Sequence, residues 1–332
     1  MTRKQWRIRT ARLLFECLGS AGTFFAPPYD RQDAMADAGA LLRAALRLSK
    51  TDLARDPDAE MTPEEQNAAD TLAGRRSRGE PFAYLTGTCE FYGRDLLVSP
   101  SVLIPRPETE TLIEEALRLL PPPAEDGRPG PANRPLVIDI GTGSGCIALT
   151  LLAERPFLRA AGVDISRDAL QTAAANAEKL GFPPDASGSI VFAEDDMTAE
   201  GFAERMSARF GPADMIVSNP PYVTEEEYER TSVSVRAFEP KTALTSPDGD
   251  GLPGCALIAA VIRAASSLLR PGGALLIEHG CSQGAAVRSL MGRYGFSDVR
   301  TVRDLAGMER CTAAVRPGTP HAEGKTHGTE RR

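Results

Sequence analysis

Apolar residues recur at helical spacing from the start of the chain to about residue 82. The run Gln32-Asp-Ala-Met-Ala-Asp-Ala-Gly-Ala-Leu-Leu-Arg-Ala-Ala-Leu-Arg-Leu-Ser49 sets Ala, Met and Leu three and four apart, with few β-branched residues. Thr62-Pro63-Glu64-Glu65 offers an N-cap, a proline at the first helical position and acids in the first turn, so a further helix runs from there to Arg75, Arg76 and Arg78. From Phe82 to Val102 the pattern becomes aromatic and β-forming (Phe82, Tyr84, Phe91, Tyr92), broken by Gly87 and Gly93, which predicts a β-hairpin connector. Pro105 and Pro107 precede Glu108–Leu120, an amphipathic helix with an acidic start. Residues 121–135 hold six prolines and little apolar content, the composition of an exposed loop.

Beyond Pro135, short apolar runs alternate with helical ones. Strands are expected at Leu136–Ile140, Ala160–Asp164, Ser189–Ala193, Met215–Ser218 and Gly273–Glu278. Helices are expected at Cys146–Glu154, Arg167–Leu180, Leu257–Leu269 and Gln283–Tyr294. That alternation predicts a doubly wound α/β domain, a parallel sheet covered by helices on both faces. The expected division is a helical domain at 1–82, a hairpin linker at 83–105, an α/β domain at 106–317 and a disordered tail at 318–332, polar and rich in Gly, Thr, His and charge.

Composition narrows the class. The 332 residues are 42% hydrophobic and 25% charged, as in a globular protein, and a net charge of -7 disfavours gripping a long nucleic acid by its phosphates. The six cysteines are scattered without a CxxC pair, so neither a zinc site nor a disulfide framework is expected, and His279 is the one histidine before the tail. Leu13-Leu14-Phe15 runs into Glu16, too short for a signal peptide, and no apolar stretch reaches the length of a membrane span. A cytoplasmic protein with reduced thiols, taken as a monomer, is the expectation.

Chemistry concentrates at three strand ends. Asp139-Ile-Gly141-Thr142-Gly143-Ser144-Gly145 closes the first strand and opens a helix, with glycines that let a ligand approach the backbone. Its spacing is GxGxG, rather than the GxGxxG of dinucleotide binders or the GxxxxGK[ST] of a P-loop. Asp164 ends the next strand, where topology puts a carboxylate beside that loop and within reach of ribose hydroxyls. Asp195 and Asp196 follow the third strand, near where a base would lie. Asn219-Pro220-Pro221-Tyr222 ends the apolar run Ala213–Ser218. Proline cannot donate to a β-ladder and also restricts the residue before it, so the strand must stop in a stiff turn. That turn carries an amide side chain, free carbonyls and an aromatic ring, a set suited to holding a planar NH2 group.

Glycine loop, ribose acid and Asn-Pro-Pro-Tyr stand in the order of class I S-adenosylmethionine-dependent methyltransferases, which the chain resembles. Within that class the terminal motif resembles enzymes acting on adenine N6, cytosine N4 or glutamine N5. Further runs narrow the likeness: Gly79-Glu-Pro-Phe-Ala-Tyr-Leu-Thr-Gly87, Glu90-Phe-Tyr-Gly93, Leu103-Ile-Pro-Arg-Pro-Glu-Thr-Glu110, Glu239-Pro240 with Ala243-Leu244, Glu278-His-Gly-Cys-Ser-Gln-Gly284 and Asp304-Leu-Ala-Gly307. From about residue 75 to 315 these resemble the release-factor glutamine methyltransferases. The resemblance implies methyl transfer from S-adenosylmethionine to the glutamine of the Gly-Gly-Gln motif in class I peptide chain release factors. It further implies a helical domain that helps to hold the factor and a hairpin that links it to the catalytic domain. Gly141, Thr142, Gly143, Ser144 and Gly145 would line the methionine part of the cofactor, Asp164 would bind ribose and Asp196 would lie by the adenine. Asn219, Pro220, Pro221 and Tyr222 would hold the glutamine amide, with Asn219 also beside the cofactor and Leu103-Ile104-Pro105 forming an apolar wall. The alternatives are a glutamine methyltransferase of a ribosomal protein and an adenine-N6 methyltransferase of nucleic acid. After Asp250-Gly251-Leu252 the chain has Pro253-Gly254-Cys255 where an arginine is expected.

Overall fold

The computed structural model describes residues 1–19, 29–122, 134–184 and 188–318. Most of the proline-rich loop and the tail from 319 onward therefore lie outside the described residues. No helix among the described residues is long and apolar enough to cross a membrane.

The N-terminal module consists of α1 (Arg3–Leu18), α2 (Arg31–Leu46), α3 (Lys50–Arg55), α4 (Pro63–Ser77) and α5 (Phe82–Thr86). Each of the first four starts on a capping box, at Thr2, Asp30, Ser49 and Thr62, where a side chain accepts from the third helical N–H and the third side chain accepts from the cap. Their shared core is Trp6, Leu14, Ala34, Ala38, Leu41, Leu42, Ala69 and Ala73. Alanines at these positions let the helices approach closely around Trp6, whose Nε1 donates to Asp70 at 2.7 Å. The α5 helix corrects the expected hairpin, which is shorter than 83–105. Pro81 pins the chain at φ -57, Leu85 joins the helical core, and Gly87 ends the helix in the left-handed region. Tertiary burial thus overrides the β preference of Phe82 and Tyr84.

The hairpin itself is β1 (Thr88–Phe91) paired antiparallel with β2 (Arg94–Leu97). Its two-residue turn is Tyr92-Gly93, both at positive φ (51 and 70), the signature of a type I′ turn. Tyr92 bears that strain with its N–H donating to Glu110 at 2.9 Å.

The remaining elements are α6 (Glu110–Leu119), β3 (Leu136–Ile140), α7 (Cys146–Glu154), β4 (Arg159–Asp164), α8 (Arg167–Lys179), β5 (Ile190–Glu194), α9 (Phe202–Phe210) and β6 (Ala213–Ser218). They continue with α10 (Glu225–Glu229), α11 (Val233–Phe238), α12 (Ala256–Leu268), β7 (Leu269–Glu278), α13 (Gly284–Arg293), β8 (Ser297–Arg303) and β9 (Glu309–Val315). The sheet order is β5-β4-β3-β6-β7-β9-β8. Pairs from β5 through β7 are parallel, whereas β9 runs antiparallel to both β7 and β8. An all-parallel sheet is therefore corrected to a mixed one. The last two strands follow each other through the tight turn Asp304–Gly307, which leaves no room for the crossover helix a parallel pair needs. Both belong to the α/β class, with helices on each face of a doubly wound sheet.

Alternation along the central strands divides the core in two. Ile138, Ile140, Ile216, Leu275 and Ile277 meet α9, α12 and α13 on one face. Val137, Met215, Val217 and Leu276 meet α6 and α7 on the other. Each fully buried Leu or Ile stabilises by about 1.5–3 kcal/mol, and a strand buried on both faces gains this at every position. The strand order reverses between β4-β3 and β6-β7, so the carboxyl ends of β3 and β6 flank the switch point where such sheets bind ligands.

Candidate active site

Four strand ends meet at that edge. Ile140 is followed by the glycine loop, Asp164 ends β4, Ser218 precedes Asn219, and Glu278 ends β7. The buried Ser218 hydroxyl donates to the Ile140 carbonyl at 2.6 Å, tying the roots of the glycine loop and the Asn-Pro-Pro-Tyr turn together.

The glycine loop is held on both sides. Gly141 and Thr142 N–H groups donate to the Val163 carbonyl at 2.8 and 3.0 Å, and the Thr142 hydroxyl donates to Asp139 at 2.7 Å. Gly141, Gly143 and Gly145 all have positive φ. A side-chain carbon at Gly145 would lie 3.0 Å from Leu149 and 3.2 Å from Ala173, whereas at Gly143 it would meet open space. Gly145 thus serves helix packing, whereas Gly143 borders open space that would leave room for a ligand. The second oxygen of Asp139 is buried without a partner, and burial raises the Asp139 pKa to about 7.

Asp164 accepts from Gly143 N–H at 2.8 Å and from Ser166 N–H at 2.9 Å. Burial raises its pKa and these backbone donors pull it back. Each oxygen keeps a further lone pair for a ligand hydroxyl, and Ile165 beside it is 63% exposed, an apolar surface at the edge of the cleft. Asp196 spends one oxygen on the backbone and hydroxyl of Thr198, at 2.8 and 2.7 Å, while Asp195 pairs with Arg205. An adenosyl group with an amino-acid tail fits this arrangement of open glycine, strand-end carboxylate and orphaned acid.

The Asn-Pro-Pro-Tyr turn is braced from several distant segments. Asn219 Nδ2 donates to the Thr109 hydroxyl at 3.1 Å, which leaves its Oδ1 for the site. The Tyr222 carbonyl accepts from Gln283 Nε2 at 3.0 Å, and Gln283 Oε1 accepts from Gly280 N–H at 2.9 Å. Gly254 packs so closely, at φ 62, that a side-chain carbon there would stand 2.4 Å from the Tyr222 carbonyl oxygen. The Tyr222 hydroxyl bonds Glu278 at 3.3 Å. Burial and the nearby Glu278 raise the Tyr222 pKa, so the phenol stays neutral. Arg310, the guanidinium facing Tyr222, is itself held by Asp304 at 3.2 Å. After the turn Val223 bridges to Thr245 in parallel, which places the Ala243-Leu244 segment against it.

Residues without an expected role complete the site. Glu239 is buried and accepts from Ile104 N–H at 3.2 Å and from Arg106 at 2.5 Å, joining the segment beyond α11 to the Leu103-Ile104-Pro105 stretch. Asn176, wholly buried on α8, exchanges bonds with Leu97 and donates to the Ser144 carbonyl at 2.9 Å, so one side chain clamps the hairpin to the glycine loop. Thr109, Asn176, Gln283 and Gly254 lie tens to over a hundred residues from their partners, and the motif runs Arg106–Glu110 and Glu278–Gly284 were the available signal for two of them. His279 is spent on structure: its ring bonds Thr312 at 2.8 Å and the Gly280 carbonyl at 2.9 Å.

A glycine loop and a facing Asn-Pro-Pro-Tyr turn at the switch point define a methyltransferase, and residues 136–294 match a family model described as a methyltransferase domain. Residues 25–87 match one described as PrmC N-terminal domain. The chain is 42% identical over 278 residues to the release factor glutamine methyltransferase of Nitratidesulfovibrio vulgaris, covering 83% of this chain and 86% of that protein. Similar relatives of the same description occur in Burkholderia pseudomallei, 41% identical with 85% of this chain and 92% of that protein covered, and in Neisseria gonorrhoeae, 42% identical with 83% and 91% covered. The chain belongs to the release factor glutamine methyltransferase family.

Proposed function

We propose that the protein transfers a methyl group from S-adenosylmethionine to the side-chain N5 of the glutamine in the Gly-Gly-Gln motif of class I peptide chain release factors. The observation that carries this reading is the Asn219 amide, anchored through Nδ2 on Thr109 so that this bond leaves Oδ1 free, on a turn whose root Ser218 is tied to the root of the glycine loop. When bound, S-adenosylmethionine supplies an activated methyl group on a sulfonium.

An amide nitrogen is a poor nucleophile because its lone pair is delocalised into the carbonyl. Asn219 Oδ1 and the Pro220 carbonyl accept the two N–H bonds of the substrate amide, orient the nitrogen and stabilise the positive charge it develops. Proline rigidity keeps these acceptors fixed, so little reorganisation accompanies the reaction. Tyr222 packs on the planar group. The nitrogen acquires its acidity only as the new bond forms, so no general base precedes transfer and the surplus proton leaves to water afterwards.

In this reading Gly141, Thr142, Gly143, Ser144 and Gly145 line the methionine part of the cofactor, Asp164 takes the ribose, and Asp196 lies by the adenine with the oxygen not bonded to Thr198. Residues 1–82 help to hold the factor, the hairpin links them to the catalytic unit at 106–317, and the protein works as a monomer in the cytoplasm.

The test incubates the protein with labelled S-adenosylmethionine and either wild-type release factor or a Gln→Ala factor altered in its Gly-Gly-Gln motif. Label should enter the wild-type factor only. Equal labelling of both factors, or transfer to a ribosomal protein or nucleic acid instead, would overturn the proposal.

A further inference from the structure

A second concave surface opens at the carboxyl edge of the sheet. It is a groove of about 440 Å³ between the start of α6 and the turn joining β8 to β9. Pro107, Glu108 and Glu114 line one wall, and Val302, Leu305 and Ala306 line the other. Both walls are rooted at the candidate active site. Thr109, next to Glu108 in the chain, bonds Asn219, and the His279 N–H just past the end of β7 donates to the Arg310 carbonyl near the start of β9 at 2.9 Å.

Leu305 stands at the tip of its turn and is the most exposed large apolar side chain among the described residues. The turn is firmly held. Asp304 accepts from the Ala306 and Met308 N–H groups at 3.0 and 2.9 Å and from Arg310 at 3.2 Å, while Gly307 at φ 79 lets the chain close. The leucine is therefore presented before any partner arrives, and a contact with it carries little ordering cost. Met308, also exposed, extends the apolar strip. The opposite wall differs in charge. Arg118 pairs with Glu115, Arg303 with Glu309 and Arg310 with Asp304, so the cations around the groove are matched. Glu108 and Glu114 are exposed without a partner among the described residues, and Glu110 has only the Tyr92 N–H. Unmatched carboxylates opposite an apolar strip fit a chain that carries a cation beside an aliphatic residue, and they repel phosphates.

We propose that this groove receives the protein segment flanking the methyl-accepting glutamine, with a basic side chain against Glu108 and Glu114 and an aliphatic one on Leu305. An extended chain advances about 3.3–3.6 Å per residue, so a groove that starts one residue from Thr109 is filled from within a few positions of the glutamine. Neither wall touches the reacting atoms. The groove selects the substrate protein and leaves the chemistry to the Asn-Pro-Pro-Tyr turn.

This inference rests on the proposed glutamine methylation, and the experiment separates the two. Leu305→Ser and the double variant Glu108→Lys, Glu114→Lys alter exposed side chains, so both should keep the wild-type thermal midpoint. For each, kcat and KM on a Gly-Gly-Gln release factor and calorimetric affinity for that factor are measured, with S-adenosylmethionine affinity as the control. KM and the factor's Kd should rise about tenfold in each with kcat within about twofold, the pattern of lost ground-state binding. In the double variant the loss should shrink as salt is raised. Each Lys or Arg flanking the factor's glutamine is then changed to Glu, and one such factor should bind the double variant more tightly than the unaltered factor does. Wild-type KM and Kd in either variant, or a factor series without that rescue, would overturn the inference. So would a wild type that sediments as a dimer and turns monomeric in Leu305→Ser, because a second copy would then cover the groove. If the wild type binds the factor through the groove yet leaves it unlabelled, the methylation reading falls alone; if it neither binds nor labels, both fall.

Discussion

Gly254 lies in the Pro253-Gly254-Cys255 segment, which lacks the arginine that the family likeness implies, and its environment makes a quantitative expectation possible. In Gly254→Ala the new carbon would start 2.4 Å from the Tyr222 carbonyl oxygen, at a φ of +62, and 3.0 Å from Gln283 Nε2. Reaching even 3.0 Å requires opening of at least 0.6 Å, and the obstacle is backbone rather than a flexible side-chain tip. The left-handed conformation alone costs an alanine about 1–2 kcal/mol. Displacement of the Tyr222 carbonyl moves the turn that positions Asn219 and Pro220, and a misplacement of about 1 Å can cost about a hundredfold in rate. We therefore expect kcat on a Gly-Gly-Gln peptide to fall about ten- to a hundredfold in Gly254→Ala, with S-adenosylmethionine affinity within about threefold by calorimetry. Gly251→Ala is the control: its φ is +75 but nothing lies within 4 Å, so it should lose stability without losing kcat. Equal kcat in the two variants would refute the proposed bracing of the turn by Gly254.

Three further expectations follow from the site. Asn219→Ala should lose about 10²–10³ in kcat while binding cofactor normally, and Asp164→Ala should weaken cofactor binding first; calorimetry beside turnover distinguishes them, and the reverse pattern would contradict both roles. Arg106→Met strands the buried Glu239 carboxylate on a single N–H and should cost about 2–4 kcal/mol by urea titration, below the usual range for breaking a buried pair because Arg106 is a third exposed. Glu239→Gln keeps the Ile104 bond and should cost about 1–2 kcal/mol, so a larger loss in Glu239→Gln would invert the reasoning. Asp139 has its folded pKa raised to about 7, so the folded form binds the extra proton and stability falls as pH rises from the ordinary carboxylate range through 7. Without cofactor, Asp139→Asn should therefore gain on the wild type between pH 5 and pH 8 in denaturant melts, and a pH-independent offset would reject that account.

Local patterns made much of this legible. Helix caps at Thr62, the buried run Leu136–Ile140, the glycine triplet and the proline stop at Asn219 are all written in adjacent residues, where propensity and sterics act directly. The short α5 helix was not, because Phe82 and Tyr84 favour strands until Leu85 is buried among distant helices. The antiparallel β9 was hidden for a similar reason: the partners of Cys311 and Ala313 lie on β7 and β8, and nothing local states strand direction. At the site, the residues proposed to carry the chemistry are written in adjacent letters, but their supports are not. Thr109, Gln283 and Gly254 matter through contacts with Asn219 and Tyr222 that exist only after folding.

Asn176 carries one more consequence. Its buried amide is shared between the linker strand and the loop proposed to receive the cofactor, so the two cannot loosen independently. Free energy passed through such a joint is reciprocal: whatever factor a docked release factor adds to cofactor affinity, the cofactor must add to the factor's own. Titrating each ligand with and without the other would measure that coupling, and Asn176→Leu should diminish it in both directions alike. A shared amide of this kind makes the mutual strengthening of the two ligands, whichever arrives first, a thermodynamic property of the fold.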